Sequence, residues 1–351
     1  MTRLRVAQWT TGNVAAEAVR AILRRDDLEL VGAYAYSPEK NGVDVGTLCA
    51  LGRELGVRAT TDVDALLALD LDCVVHMPLH RDTAELERLL RAGVNVVTSA
   101  EFLTGRSLPD GERTRLESAA RDGGATLFGS GLNPGYMQMV AAVASGMTTN
   151  VQRVTMTESV DVGQFIGDAN FAAVGWGRPP GDPGHAAAVE AGTVVFAEGV
   201  DALARIMGVD LDDIECDVEF AHATEDVVAD GVTIRAGHVG GMDVGWHGVK
   251  AGVRVLSLNQ RWVATPHLEP AWKVEHCYLI DVVGDPHINM RVGMFPTEAD
   301  LADLTRDRMR GIGLRATAAP LVNAIPAVCA AAPRIATYAD LPLITGPLQV
   351  R

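Results

Sequence analysis

Leu4–Trp9 reads as a buried strand, Thr10–Asn13 as a tight turn, and Asn13–Arg25 as a helix with Ala15, Val19, Ile22 and Leu23 on one face. The same alternation continues down the chain. Leu28–Tyr36 is a second strand, and Thr61-Asp62 caps a short helix that ends near Leu69. Asp72–Met77 is a buried strand closed by Pro78, followed by an amphipathic run over Arg81–Ala92 with Leu86, Leu89 and Leu90 inward. Asn95–Ser99 and Ala125–Gly129 are further strands, separated by a polar helix over Gly111–Asp122. Strands and helices in this rhythm predict an α/β fold with a Rossmann-type, doubly wound parallel sheet through residue 135. Ligands of such sheets sit at the carboxyl ends of the strands. Three strand ends therefore matter: Met77-Pro78, Ser99-Ala100-Glu101 and Ser130–Pro134.

The pattern changes near Asn150. Val151–Val160, Ile214–Ala221, Gly231–Val239, Val253–Thr265, Ala271–Val283 and His287–Met294 alternate as strands do, with Lys250-Ala251-Gly252 and Val283–Pro286 as hairpin tips. This predicts a second α+β domain with a mainly antiparallel sheet, over residues 136–311. Thr297–Gly311 and Leu314–Ala332 are helical, and Pro320 and Pro326 are expected to kink or break the second of them. Residues 312–351 are expected to pack back on the first domain, residues 1–135.

Composition narrows the function. The chain has 351 residues, 48% of them hydrophobic, enough for two cores. A net charge of −15 repels phosphates and argues against nucleic acid as a partner. No apolar run in the sequence approaches the roughly 18 residues that span a bilayer, and a start directly on a strand argues against a signal peptide. The five cysteines are scattered and odd in number, as suits packed, reduced thiols of a cytoplasmic protein rather than a disulfide framework or a metal site.

The first turn carries the candidate cofactor chemistry. Thr10, Gly12 and Ala15 occupy the three glycine places of a dinucleotide-binding G-x-G-x-x-G, and only the middle glycine, where pyrophosphate approaches the backbone, is kept. Thr10, Thr11, Gly12, Asn13 and Val14 are the expected pyrophosphate-facing residues, with Met77, Pro78, Ala100, Asn133 and Pro134 along the other strand ends. At the end of the second strand, Ser37 and Lys40 suit a 2′-phosphate better than a 2′-hydroxyl, which favours NADP, although Glu39 keeps NAD open.

None of the nine histidines pairs with a carboxylate at metal-ligand spacing, and no nucleophile-elbow or zinc motif is present, so no metal is expected. Glu101 is the candidate catalytic residue. A carboxylate directly after an apolar strand resists ionisation unless a cation accompanies it, and an ammonium or iminium substrate would be that cation. Its alternative role is a helix-start carboxylate favoured by the macrodipole. Tyr136 and, in the loop-rich stretch 161–183, Phe165, Phe171 and Trp176 are candidates to wall an apolar substrate pocket; packing within the core is the alternative for each ring.

Several stretches together carry a family resemblance: VAQWTTGNV, AYSPEK followed by DVGTLC, DVDALLALDLDCVVHMP, VVTSAEF, GSGLNPGYM, DVVGDPHI and the VNAIP…DLP tail. In order and spacing they resemble the dihydrodipicolinate reductase-like group, and within it the 2,4-diaminopentanoate dehydrogenases and native amine dehydrogenases. The resemblance implies a two-domain oxidoreductase that interconverts an amine with a ketone or aldehyde plus ammonia. It implies that Glu101 contacts the substrate nitrogen and that Asn133-Pro134 borders the nicotinamide. The histidine pair and lysine of true dihydrodipicolinate reductases have no counterpart here, and Tyr136 stands where Phe is common. Two rival readings are an alcohol or carbonyl oxidoreductase with Tyr136 or a histidine as proton donor, and a non-catalytic NADP(H)-binding regulator. A homodimer through the open sheet of the second domain is the expected assembly.

Overall fold

The computed structural model describes residues 3–100 and 102–348, with backbone only at Ala169 and Asn170. The chain divides into two compact units, residues 1–137 with 298–351, and residues 138–297.

In the first unit, β1 (Leu4–Trp9) leads through Thr10–Gly12 into α1 (Asn13–Ile22), whose Ala15, Ala18, Val19 and Ile22 are buried. β2 (Leu28–Tyr34), the short α2 (Val45–Leu48), β3 (Ala59–Thr60) and α3 (Val63–Leu67) follow. β4 (Cys73–His76) is wholly buried; α4 (Thr83–Arg91) is capped by Asp82, whose carboxylate accepts from the N–H groups of Ala84 and Glu85. Then come β5 (Asn95–Thr98), α5 (Asp110–Gly123), which ends on left-handed Gly124, and β6 (Leu127–Gly129).

The second unit takes up α6 (Met137–Ser145), β7 (Arg153–Asp161), α7 (Ala169–Ala172), α8 (His185–Gly192) and α9 (Val195–Met207). β8 (Asp213–Ala223), β9 (Val227–Ala229), β10 (Val232–Ile234), β11 (Val239–Lys250), β12 (Val253–Val263), β13 (Leu268–Glu269), β14 (Cys277–Val283) and β15 (Ile288–Val292) complete it. The chain returns to the first unit with α10 (Glu298–Leu301), α11 (Arg306–Ala330) and β16 (Ile335–Ala336).

The first sheet is parallel with strand order β16-β6-β5-β4-β1-β2-β3. Apart from the added β16 this is the 3-2-1-4-5-6 order of dinucleotide-binding sheets. The order reverses between β1 and β4, and that switch point is where the carboxyl ends leave a crevice for a ligand. The α/β reading of this half of the sequence is borne out.

The C-terminal helices depart from expectation: the chain is helical through Gly311–Leu314, and the interruption falls instead at residues 302–305. Pro320 and Pro326 do not break the C-terminal helix; α11 runs through both for 25 residues, with Thr305 capping its start. Each proline removes one helical hydrogen bond. Burial of Leu321, Val322, Ile325 and Val328 offsets that loss, at about 1.5–3 kcal/mol per side chain, because α11 packs on α1, β4, β5 and β6. By length and composition α11 is also long and apolar enough to cross a bilayer, which the strand-and-helix reading of the sequence did not register; in the structure its buried residues pack within the first unit.

The second unit holds a seven-stranded sheet of order β13-β8-β11-β12-β7-β14-β15, antiparallel except for the β7–β12 pair. Ala251 and Gly252, both at positive φ, form the two-residue tip between β11 and β12. Two strands are shorter than the alternation predicts. Gly231–Val239 splits into β10, which pairs with β9 in a separate ribbon, and the start of β11. Ala271–Val283 is extended in the sheet only from Cys277, after His276 takes a left-handed turn at φ 52°. One face of the sheet is apolar, with Val154, Met156, Leu256 and Leu258 buried, and α9 packs on β11 and β12. Thr155, Thr157, Ser257 and Asn259 alternate onto the other face.

Candidate functional site

The carboxyl ends of β1, β2 and β4 meet at Thr10. Its φ is 77°, the left-handed conformation that a glycine normally supplies at this place and that a β-branched residue rarely adopts. Such a residue carries strain of about 1–3 kcal/mol, and two bonds hold it. The Thr10 N–H donates to the Tyr34 carbonyl at 2.9 Å, and Oγ1 donates to the Met77 carbonyl at 2.9 Å. Thr10 thus keeps the turn's geometry while tying it to β2 on one side and the end of β4 on the other. Gly12 caps α1 without a side-chain hydrogen bond, no acidic residue lies in the first turn, and a Cβ built on Gly12 meets nothing within 4 Å. The uncapped N–H groups and the open space above them are what a pyrophosphate needs. Asn13 is exposed and Val14 half-buried at the same helix start, while Ala15 is buried against the sheet, as the third glycine place requires.

Lys40 ends the short turn Pro38–Lys40, and its Nζ donates to Thr11 Oγ1 at 3.1 Å. The loop after β2 therefore closes onto the β1 turn, and Ser37, half-buried, opens that loop. Trp9 stacks on Tyr34 with ring centroids 4.0 Å apart. Trp9 Nε1 donates to Tyr36 Oη at 3.2 Å, and Tyr36 in turn donates to Glu85 Oε2 at 2.6 Å. Met77 and Pro78 are buried at the end of β4.

His76 is fully buried with Nδ1 3.0 Å from Thr98 Oγ1, and faces Glu85 of α4 at 3.6 Å. Burial, only partly opposed by Glu85, pushes its pKa below the ordinary range, so the ring is neutral. Thr98 Oγ1 also accepts from the Ala100 N–H at 3.1 Å, which fixes the start of the turn after β5. Glu101 lies outside the described residues; its neighbours Ala100 and Phe102 are both buried.

After β6 the chain makes the turn Ser130–Tyr136, with a cis Asn133-Pro134 bond and Gly135 at φ 139°. Tyr136 Oη donates to the Ile344 carbonyl at 3.0 Å. The turns after β1, β4, β5 and β6 thus all lie at the carboxyl edge of one sheet, and the structure brings the cofactor candidates of the first unit together there.

In the second unit Phe165 and Phe171 are neighbours at 6.2 Å between centroids, Phe171 meets Trp262 edge-on at 5.2 Å, and Trp262 lies 5.9 Å from Phe196. Trp262 and Phe196 extend the aromatic cluster beyond the residues read from the sequence, which placed Trp262 only within a strand. Trp176 is buried, and its indole N–H has no acceptor among the described residues; the same holds for Trp262 Nε1, and both amide atoms of the fully buried Gln260 likewise have no partner there.

A Ser–His–Asp line also stands in this unit. Ser257 Oγ lies 2.9 Å from His247 Nδ1, and His247 Nε2 lies 3.1 Å from Asp217 Oδ1, with Arg254 donating to Oδ2 at 2.7 Å. Burial works to raise the Asp217 pKa, but the bonds from His247 and Arg254 outweigh it and hold the carboxyl below its usual range. Ser257 sits mid-strand between β11 and β7, where the ladder engages the main-chain N–H groups that an oxyanion hole requires. The line is a hydrogen-bonded network running from buried Ser257 and His247 out to exposed Asp217 and Arg254, not a nucleophilic site.

Comparison with known proteins agrees with this geometry. The chain is 27% identical to an amine dehydrogenase of Streptomyces virginiae over 95% of each protein. A 64-residue stretch is 39% identical to the 4-hydroxy-tetrahydrodipicolinate reductase of Synechococcus elongatus, covering 18% of this chain and 23% of that one. Among solved structures, the amine dehydrogenase of Mycobacterium smegmatis superposes with a TM-score of 0.78 at 22% identity, over 98% of this chain and 97% of that one, and so shares its fold. Residues 136–349 match the model of the 2,4-diaminopentanoate dehydrogenase C-terminal domain, and the chain belongs to that family.

Proposed function

We propose that this protein is an NAD(P)-dependent amine dehydrogenase, catalysing the reversible reductive amination of a ketone or aldehyde with ammonia. The observation that carries the reading is the full-length likeness to an amine dehydrogenase on a sheet whose strand order and first turn suit a dinucleotide. The residues fit such a cofactor: an uncapped α1 with open space at Gly12 for the pyrophosphate, and Lys40 over Thr11 for a 2′-phosphate, which favours NADP over NAD. When bound, the nicotinamide supplies or accepts the hydride.

The chain's own residues do the rest. Thr11, Gly12, Asn13 and Val14 seat the pyrophosphate with main-chain N–H groups, and Thr10, whose own N–H is taken by Tyr34, holds the turn that presents them. Ser37 and Lys40 hold the ribose end. Met77, Pro78, Ala100, Asn133 and Pro134 shape the surface toward the nicotinamide half of the sheet. Glu101, read from the sequence, faces the substrate nitrogen as a carboxylate; it stabilises the iminium charge and moves protons to and from the nitrogen. Phe165, Phe171 and Trp176, with Tyr136, exclude water that would hydrolyse the iminium.

The carbonyl-reductase reading needs a free phenol or imidazole, and two of its candidates have other engagements: Tyr136 Oη donates to Ile344 and His76 is buried and neutral. The regulator reading drew on the missing first glycine, and Thr10 keeps the conformation that the glycine would give. A homodimer remains our proposal for the assembly, through the open face of the second sheet. That face is polar at Thr155, Thr157, Ser257 and Asn259 rather than apolar, so its pairing rests on side-chain hydrogen bonds. The test of function is a spectrophotometric screen of NAD and NADP against amines and alcohols. Amine oxidation, and ketone reduction that requires ammonium, are expected; alcohol oxidation without either would sink the proposal.

A further inference from the structure

The turn after β6 is gripped at both ends by one distant piece of chain. At its start, Ser130 Oγ lies 2.7 Å from Tyr338 Oη and 3.3 Å from the Gly131 carbonyl. At its end, Tyr136 Oη donates to the Ile344 carbonyl, and the Tyr136 N–H donates to that same Gly131 carbonyl at 2.9 Å. A hydroxyl has one proton, so with Ser130 donating to Gly131, Tyr338 is the donor to Ser130. Burial raises the Tyr338 pKa well above the ordinary phenol value and keeps that proton in place. A Cβ on Gly135 would come within 2.7 Å of Ser130 Oγ, so the serine hydroxyl fills the hollow of the turn. Between these two grips lie Asn133 and Pro134.

The gripping segment is itself held in register. The Leu127 N–H donates to the Arg334 carbonyl at 2.9 Å, β16 adds to the sheet beside β6, and the Tyr338 ring packs edge-on against Phe128 at 5.0 Å. Asp340 Oδ2 accepts from the N–H and the hydroxyl of Thr337, both at 2.9 Å, and Oδ1 accepts from Arg334 at 2.8 Å. Every step from the sheet to the turn is therefore a fixed contact, and a residue whose rotamer is locked in this way can hold a ligand-facing loop to a fraction of an ångström.

We propose that Thr337–Ile344 is a strap that sets the Asn133-Pro134 turn against the nicotinamide ring, with Tyr338 as its positioning residue. The inference rests on the dehydrogenase reading for the ring's place, at the β5–β6 side of the sheet. Tyr338 acts only through Ser130 and the turn.

The test separates the two halves of the cofactor. ADP-ribose reports binding at the β1 turn alone; NADPH or NADH reports that plus the ring. For Tyr338→Phe the strap predicts an unchanged ADP-ribose Kd, a dinucleotide Kd weakened at least ~5-fold, the scale of one lost buried hydrogen bond, and a shorter fluorescence lifetime of the bound reduced ring. Ser130→Ala is expected to give the same split, and it guards against the tyrosine variant failing to fold, which circular dichroism would reveal. Equal loss for ADP-ribose and dinucleotide would make Tyr338 a mere stabiliser and overturn the strap, as would no change in either. A wild-type protein that binds neither ligand would sink the dehydrogenase reading itself, and the strap with it.

Discussion

The two regions that face ligand in this reading are built on opposite principles. At the sheet edge of the first unit, hydroxyls are engaged within the protein: Thr10 on Met77, Thr11 with Lys40, Ser130 with Tyr338, Tyr136 on Ile344. In the second unit, Trp176, Trp262 and Gln260 are buried with polar side-chain atoms that have no partner among the described residues. A partnered site is rigid before its ligand arrives, so little ordering entropy is lost on binding. A buried unpaired amide or indole costs stability, and such groups in native proteins are matched by water or by a ligand. Under the proposed function, the first region positions the ligand and the second discriminates among substrates.

The largest expected effect tests whether chemistry belongs to the first region at all. Glu101→Gln should leave cofactor affinity intact and lower amine oxidation at least ~10²-fold, the low end for a positioned acid–base group. Turnover close to that of the parent would remove Glu101 from the mechanism. Gly12→Ala comes next. Because its Cβ enters open space, the melting temperature should not move, yet the cofactor Kd should rise about tenfold, or about 1.4 kcal/mol. A lower melting temperature with unchanged affinity would show that Gly12 serves folding only.

Lys40→Met asks whether the same region reads the ribose. A charge-assisted bond is worth about 1.5–3 kcal/mol, so NADP affinity should fall roughly tenfold or more while NAD affinity changes little. An equal loss for both cofactors would reduce Lys40 to a tether for Thr11.

The sequence reveals the first region far better than the second, for a physical reason. Strand, turn and helix are short-range patterns, so Leu4–Ile22 and the hairpin tip at Ala251-Gly252 can be read locally. The identity of Thr10 looks like a defect in the glycine pattern, because the bond to Met77 that holds its left-handed turn spans 67 residues. Tyr338 and Ser130 are 208 positions apart, and no local rule pairs them. Pro320 and Pro326 signal a break for the same reason: the local rule is sound, and burial that only the tertiary structure supplies overrides it. In the second unit the rings are visible as aromatics, but which of them meet depends on β12 lying beside the 161–183 stretch, as the Phe171–Trp262 contact shows.

Gln260 tests the second half of the comparison. Gln260→Met keeps the side chain's length and removes two unpaired buried atoms, each of which costs about 1–3 kcal/mol when it has no partner. The variant should melt higher than the parent and bind amines with a second polar group less well than plain alkyl amines. A lower melting temperature would mean that the amide is satisfied in solution, and the contrast between the regions would fail on that side.

Thr10 gives the smallest effect and the sharpest sign. Thr10→Gly relieves strain of about 1–3 kcal/mol but loses the hydroxyl bond to Met77, worth about 0.5–1.5 kcal/mol, and loosens the unfolded chain. These oppose one another, so its stability should lie within about 1 kcal/mol of the parent. Thr10→Val keeps the β-branched strain and loses the bond, so it should be less stable than Thr10→Gly in urea titrations. Cofactor affinity should follow the bond rather than the strain and weaken modestly in both variants, because each frees the turn from the end of β4. If Thr10→Val proved the more stable of the two, the left-handed conformation would carry no strain for a β-branched residue; if Thr10→Val matched the parent, the turn would not depend on the Met77 bond, and the first region would owe its rigidity to something other than its hydroxyls.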